Sequence, residues 1–174
     1  MKKILLEKVF LLFVLGLLIS SCSKDDTPQN TSAEVLGVWN CSSVDYTGTS
    51  VTEYLGQNIT ADFIGEGYNV DFTFTLSENP NVASSDGSYS IKLSTTILGQ
   101  TTVQNIEDIA FTYVGTWSLD DNKITITQEG ESSVATIVEL TDNSLKLNIQ
   151  EERTISNNGA NVTTTTDTDI TFIK

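Results

Sequence analysis

Two kinds of side chain in this sequence could carry chemistry: acids in close pairs, and cysteines. The acid pairs are Asp120-Asp121, Glu151-Glu152 and Asp167 with Asp169. Glycosidic hydrolysis needs two carboxyls converging across a substrate, roughly 5 to 9 Å apart. Asp120 and Asp121 fall in a turn sequence. Glu151 and Glu152 are neighbours on an extended segment, so they point to opposite faces. Asp167 and Asp169 share a face, but it is the one opposite Thr168 and Ile170. No pair is expected to converge. The turn acids Asp120 and Asp121 with Asn122 could hold calcium weakly, yet turn chemistry already accounts for them, and no metal site is expected. The chain has no histidine, which removes the commonest general base and metal ligand. No serine sits in a nucleophile elbow, and no glycine-rich phosphate loop precedes a helix. Cys41 shares a strand face with Trp39 and is expected to be a buried, inert thiol. The reading is therefore non-enzymatic, with no catalytic residue and no cofactor.

The other cysteine stands in a different setting. Lys2, Lys3 and Lys8 precede an apolar run from Val9 to Ile19, and Ser20-Ser21-Cys22 follows. The run is too short to span a bilayer and has the form of a signal peptide. Ile19-Ser20-Ser21-Cys22 resembles a bacterial lipobox, in which the thiol carries the diacylglycerol and small residues give the signal peptidase access. The alternative is an ordinary secretory signal with an incidental cysteine. Several acyl chains on Cys22 would anchor the chain stably, where one would not. Ser23-Lys24-Asp25-Asp26 is similar to the acidic tag that directs lipoproteins of Bacteroidota type to the outer face of the outer membrane; the alternative is an acidic, solvated linker. The expected organisation is a signal peptide over residues 1–21, a linker over 22–33 and one domain over 34–174. The expected location is the outer membrane, facing the exterior. The formal charge is −14, and residues 1–21 hold three of the lysines against one acid. Such a balance argues against nucleic acid or anionic lipid as electrostatic partners.

Positioning comes next. The sequence is rich in Thr, Ser, Val and Ile, and turn clusters recur at short spacing, which points to an all-β fold of eight or nine strands. Phe111, Tyr113, Gly115, Trp117 and Leu119 alternate with polar residues at strand period. Turn signals at Asp121-Asn122, Glu129-Gly130-Glu131, Asp142-Asn143 and Asn158-Gly159 set the registers that follow. Leu119 is expected opposite Ile124, Ile126 opposite Val134, and Leu140 opposite Leu145. Ile155 should face Val162, Leu147 Ile170, and Leu145 Phe172. Earlier, a first strand runs from about Leu36 to Tyr46, and Phe63 and Tyr68 are expected to pair across Gly65-Glu66. Tyr68, Val70, Phe72, Phe74 and Leu76 should share a face, as should Tyr89, Ile91 and Leu93. Residues 48–58 read as loop or short strand. Residues 97–110 read as continued strand, or as one or two helical turns at Gln104–Ile109. A meander of this length leaves two edges unless it closes, so Asn161–Ile173 is expected to pair with the first strand in an up-and-down barrel.

Gly37-Val38-Trp39 near the start of the domain, echoed by Gly115-Thr116-Trp117 and followed by this meander, resembles the lipocalins, and in particular bacterial lipocalin-like lipoproteins. The resemblance implies that Trp39 plugs the closed end of the barrel, with a basic residue from a late strand over it. Arg153, the only arginine, is the residue proposed for that place; the alternative is that it balances Glu151 and Glu152 at the surface. The resemblance also implies binding of a small apolar or amphipathic molecule. Phe72, Phe74, Tyr89, Tyr113, Trp117 and Leu119 are the candidate lining, or else plain core, since side chains fill small barrels. An envelope protein or glycan bound through the outer face, with Thr163–Thr166 as an outward run, is the competing function.

Overall fold

The computed structural model describes residues 32–157 and 159–174. The signal-peptide and lipidation expectations and nearly all of the linker lie outside them, as does Asn158. One helical turn, α1 (Ser32–Val35), leads into nine antiparallel strands: β1 (Gly37–Tyr54), β2 (Gln57–Ser77), β3 (Val82–Ile97), β4 (Gln100–Ala110), β5 (Tyr113–Asp120), β6 (Lys123–Gln128), β7 (Glu131–Leu140), β8 (Ser144–Asn157) and β9 (Ala160–Ile173). Most are joined to the next by short turns, except that β5 follows β4 along the same edge of β3, and the order β2-β1-β9-β8-β7-β6-β5-β3 closes through a β2–β3 pairing. The result is a ring of eight strands with β4 as a ninth on β3. β9 seals it against β1, with Val44 opposite Ile170 and Tyr46 opposite Thr168.

Strand lengths shape the barrel. β2 has 21 residues and β1 has 18, whereas β6 has 6 and β7 has 10. The ring is therefore complete only at one end. Beyond the β6–β7 turn at Glu129-Gly130, six strands in the order β8-β9-β1-β2-β3-β4 run on as an open sheet. Two irregularities keep the apolar residues inward. A register shift between Cys41 and Ser43 puts both Cys41 and Val44 inside. Another, between Tyr68 and Asp71, has Asn69 at φ 48°.

The core gathers at the closed end: Val35, Trp39, Phe74, Leu76, Ile124, Leu145 and Phe172 are almost fully buried. In the upper part, rings stand in for missing side chains. A Cβ on Gly65 would lie 2.4 Å from the Tyr46 ring, and one on Gly48 would lie 2.3 Å from the Phe63 ring. Each aromatic thus covers a glycine on the paired strand, and the two rings meet edge to face at 6.2 Å.

Most expected registers hold. Leu119 faces Ile124, Leu140 faces Leu145, and Ile155, Leu147 and Leu145 face Val162, Ile170 and Phe172. Ile126, however, faces Ser133, because the loop has two residues, with Gln128 opposite Glu131; Val134 then turns outward and is 44% exposed. There is no hairpin at Gly65-Glu66, which lies within β2: Phe63 pairs with Gly48 and Thr95, and Tyr68 with Ser90. The bulge at Asn69 also moves Tyr68 to the outer face, where its hydroxyl bonds Glu107. Residues 48–54 continue β1, and 100–110 form β4 with no helical turn. Thr163–Thr166 alternates across the sheet, Thr163 bonding Thr154 and Thr164 bonding Ser50, so it is not a uniformly outward run.

Candidate functional site at the barrel mouth

Phe72, Phe74, Tyr89, Phe111, Tyr113 and Phe172 form one stack inside the ring. Phe72 and Phe111 have centroids 4.6 Å apart, Phe74 and Phe172 5.4 Å, and Phe111 and Tyr113 5.6 Å. These separations are those of packed aromatic pairs, so the middle of the barrel is filled. Trp117 and Leu119 lie on the closed-end side of that stack. The Trp117 indole donates to the Ser77 carbonyl at 2.7 Å, and Leu119 packs against the core beside Ile124. Cys41 is buried, and desolvation pushes its thiol from 9.0 up to about 12, only partly opposed by a hydrogen bond with the Ser43 backbone; the thiol itself donates to the Ser43 carbonyl at 3.4 Å. Such a thiol holds its proton and is a poor nucleophile. Glu151 and Glu152 project to opposite faces. Asp167 and Asp169 both accept from the Asn148 amide, at 2.5 and 2.9 Å, on the outer face.

Open space begins where the aromatic stack ends. Between the short β6–β7 hairpin and the inner face of β8 lies a recess of about 600 Å³. Its floor is Phe111, Tyr113, Ile126 and Ile149, and its rim includes Gln128, Glu129, Glu131 and Glu151. Tyr113 sits deep enough that burial raises its hydroxyl well above the usual phenol range, so it stays protonated. Ser133 donates to Glu151 at 3.1 Å, tying the tip of β7 to β8 across the rim. Volume and floor suit a small ligand with an apolar body, since ligand pockets span roughly 300 to 1,000 Å³ with mostly apolar walls.

Of the six lining residues expected from sequence, Tyr113 alone borders this recess; Phe72, Phe74 and Tyr89 belong to the stack beneath it, and Trp117 and Leu119 to the closed end. Phe111, Ile126 and Ile149 were missed as lining, although their strand parity marked them as inward. The signal that could have found them is spacing. The turns at Asp121-Asn122 and Glu129-Gly130 leave only a six-residue strand between them, too short to match its neighbours.

The closed end corrects a second expectation. Trp39 is completely buried, and its indole donates to the Val35 carbonyl at 2.8 Å, which fastens α1 under the barrel. The cation over its ring is Lys174, with Nζ 4.0 Å from the centroid. Gly37, at φ 121°, has no Cβ where the Lys174 stem passes at 3.5 Å. Arg153 has the inward parity expected of it, but it pairs with Thr164, level with Ser50 on β1. That is on the order of 30 Å from Trp39 along the strand.

A family model described as a lipocalin-like domain matches residues 35–147, more than half of the chain. No curated protein and no solved structure matches it. The matched span runs from the helical turn that caps the barrel, through the Gly37-Val38-Trp39 plug, to the first buried leucines of β8. With that match joined to a closed antiparallel meander, the chain belongs to the lipocalin-like domain family.

Proposed function

We propose that this domain is a non-catalytic binding module that holds one small apolar or amphipathic molecule in the recess at the barrel mouth. We place it on the outer membrane, facing the exterior and tethered by acyl chains on Cys22. The observation that carries the reading is the recess itself: about 600 Å³ of open space floored by two aromatic and two aliphatic side chains, directly above a filled core. A lipocalin-like fold favours binding over catalysis. The side chains support that preference, because Glu151 and Glu152 project to opposite faces and Cys41 is both buried and protonated. The lipobox-like Ile19-Ser20-Ser21-Cys22 supports the tether.

N-phenyl-1-naphthylamine, a neutral apolar fluorophore, tests the recess. Saturable enhancement at one site per chain is expected, together with loss on Ile126→Asp while tryptophan emission and thermal midpoint stay close to those of the parent. Enhancement unaffected by Ile126→Asp would place the probe elsewhere and remove the assignment. For the tether, radiolabelled palmitate should enter the chain and fail to enter a Cys22→Ala variant; equal labelling would exclude it.

A further inference from the structure

We propose that the inner face of the open six-stranded sheet is where a second copy of this chain docks, forming a two-fold dimer. The proposal rests on how the sheet sorts its charges. On the outer face stand Asp45, Glu53, Asp62, Glu66, Glu152 and Asp167, with Lys92 bound to Glu66 at 3.3 Å. The inner face of the same strands carries one acid and one base, Glu151 and Arg153. Everything else there is apolar, hydroxyl or amide. In a chain of net charge −14, an uncharged face this broad stands apart from the solvated one behind it.

Its apolar side chains are uncovered. Ile155 is 54% exposed, Ile59 51%, Ile97 42% and Tyr54 52%, and they lie in adjacent rows near the hairpin tips. Nearer the barrel the face continues through Phe63 and Leu93. Contiguous exposed apolar surface of this kind marks an interaction site. Two-fold symmetry requires a self-complementary patch, and the two inner-face charges supply one. They are two residues apart on β8, so an antiparallel approach sets Glu151 of each copy opposite Arg153 of the other. Any other acidic partner would leave Glu151 facing like charge, while a second copy cancels both.

The area fits as well. With the two-fold at Glu152 the two faces overlap over about five residues of six strands, which at about 3.3 Å and 4.8 Å is on the order of 500 Å² per partner, the size of a weak, concentration-dependent interface. Sheets packed this way stack about 10 Å apart, and the outer faces then carry the acids of both copies away from each other.

The inference does not depend on a ligand in the recess, and Arg153 lies outside the recess lining. Sedimentation velocity on the full chain carrying Cys22→Ser, so that acyl chains drive nothing, provides the test. A concentration-dependent monomer–dimer equilibrium is expected. Arg153→Glu should weaken dimerisation at least tenfold, Glu151→Arg should do likewise, and the double exchange should restore it. Restoration separates pairing across the interface from misfolding, because a damaged sheet would not recover. A monomer at every concentration overturns the proposal, as does dimerisation indifferent to either single change or a double exchange that fails to rescue. Flotation of a monomer with phosphatidylcholine vesicles would assign the face to lipid and equally overturn it.

Discussion

At the scale of single residues, the closed end turns on which cation covers Trp39. Lys174 follows β9, whose Phe172 points inward, so strand parity alone sets residue 174 over the plug. Chemistry favours it too, since the lysine stem lies across apolar surface while its ammonium stays in water. The expected outcome of Lys174→Ala is a red shift of tryptophan emission and a loss of about 0.5–1 kcal/mol, the range for an exposed cation–π contact. Arg153→Ala should leave the spectrum alone, and Lys174→Met should keep the stem's cover but not the charge. Equal spectra for Lys174→Ala and the parent would mean that the ring is shielded without it. The position was legible in the sequence by the same alternation that placed Phe172. The preference for an arginine, drawn from the residue type instead of the register, obscured it.

At the scale of elements, three of the misread segments share one physical cause. Where a turn used Asp121-Asn122 or Asp142-Asn143, its residues announced it and the registers followed. The two unread turns, and the one read a residue too long at Gly130, put ordinary side chains into left-handed backbone: Leu55 at φ 50° before Gly56, Leu98 at φ 50° before Gly99, and Glu129 at φ 53° before Gly130. Neither Leu nor Glu signals such a conformation, so residues 48–58 and 97–110 stayed unassigned and the β6–β7 register slipped by one. The two leucines are also 81% and 87% exposed, so contacts within the chain do not hold them there. Left-handed backbone costs such a residue about 1–2 kcal/mol, and Asn is the residue that tolerates it before Gly in a two-residue hairpin turn. Leu55→Asn and Leu98→Asn should therefore each raise the urea midpoint by the equivalent of about 0.5–1 kcal/mol with an unchanged slope. A lowered midpoint would mean that these leucines bury surface the isolated chain does not show.

At the scale of the molecule, stability depends on closing the ring across its full length. Among the described residues no disulfide assists: Cys41 is a free, buried thiol. β9 supplies Ile170 and Phe172 to the core and leads to Lys174 at the plug, and it satisfies the facing edges of both β1 and β8. The family match ends at residue 147, before β9 begins, yet the barrel is not complete without it. A chain ending at Asn157 would expose two long strand edges and open the core beside Trp39. Unpaired edges of that kind template association, and pairing β1 with β9 joins segments more than 100 residues apart, which makes closure a late and slow event in folding. Such a chain is expected to lack the blue-shifted tryptophan emission of the parent and to aggregate. Adding a synthetic peptide spanning residues 160–174 should restore the emission if closure is what was lost. A soluble truncated chain with native emission and a cooperative melt would show instead that the first eight strands hold the core unaided, and the ring would then be a consequence of the fold and not its condition.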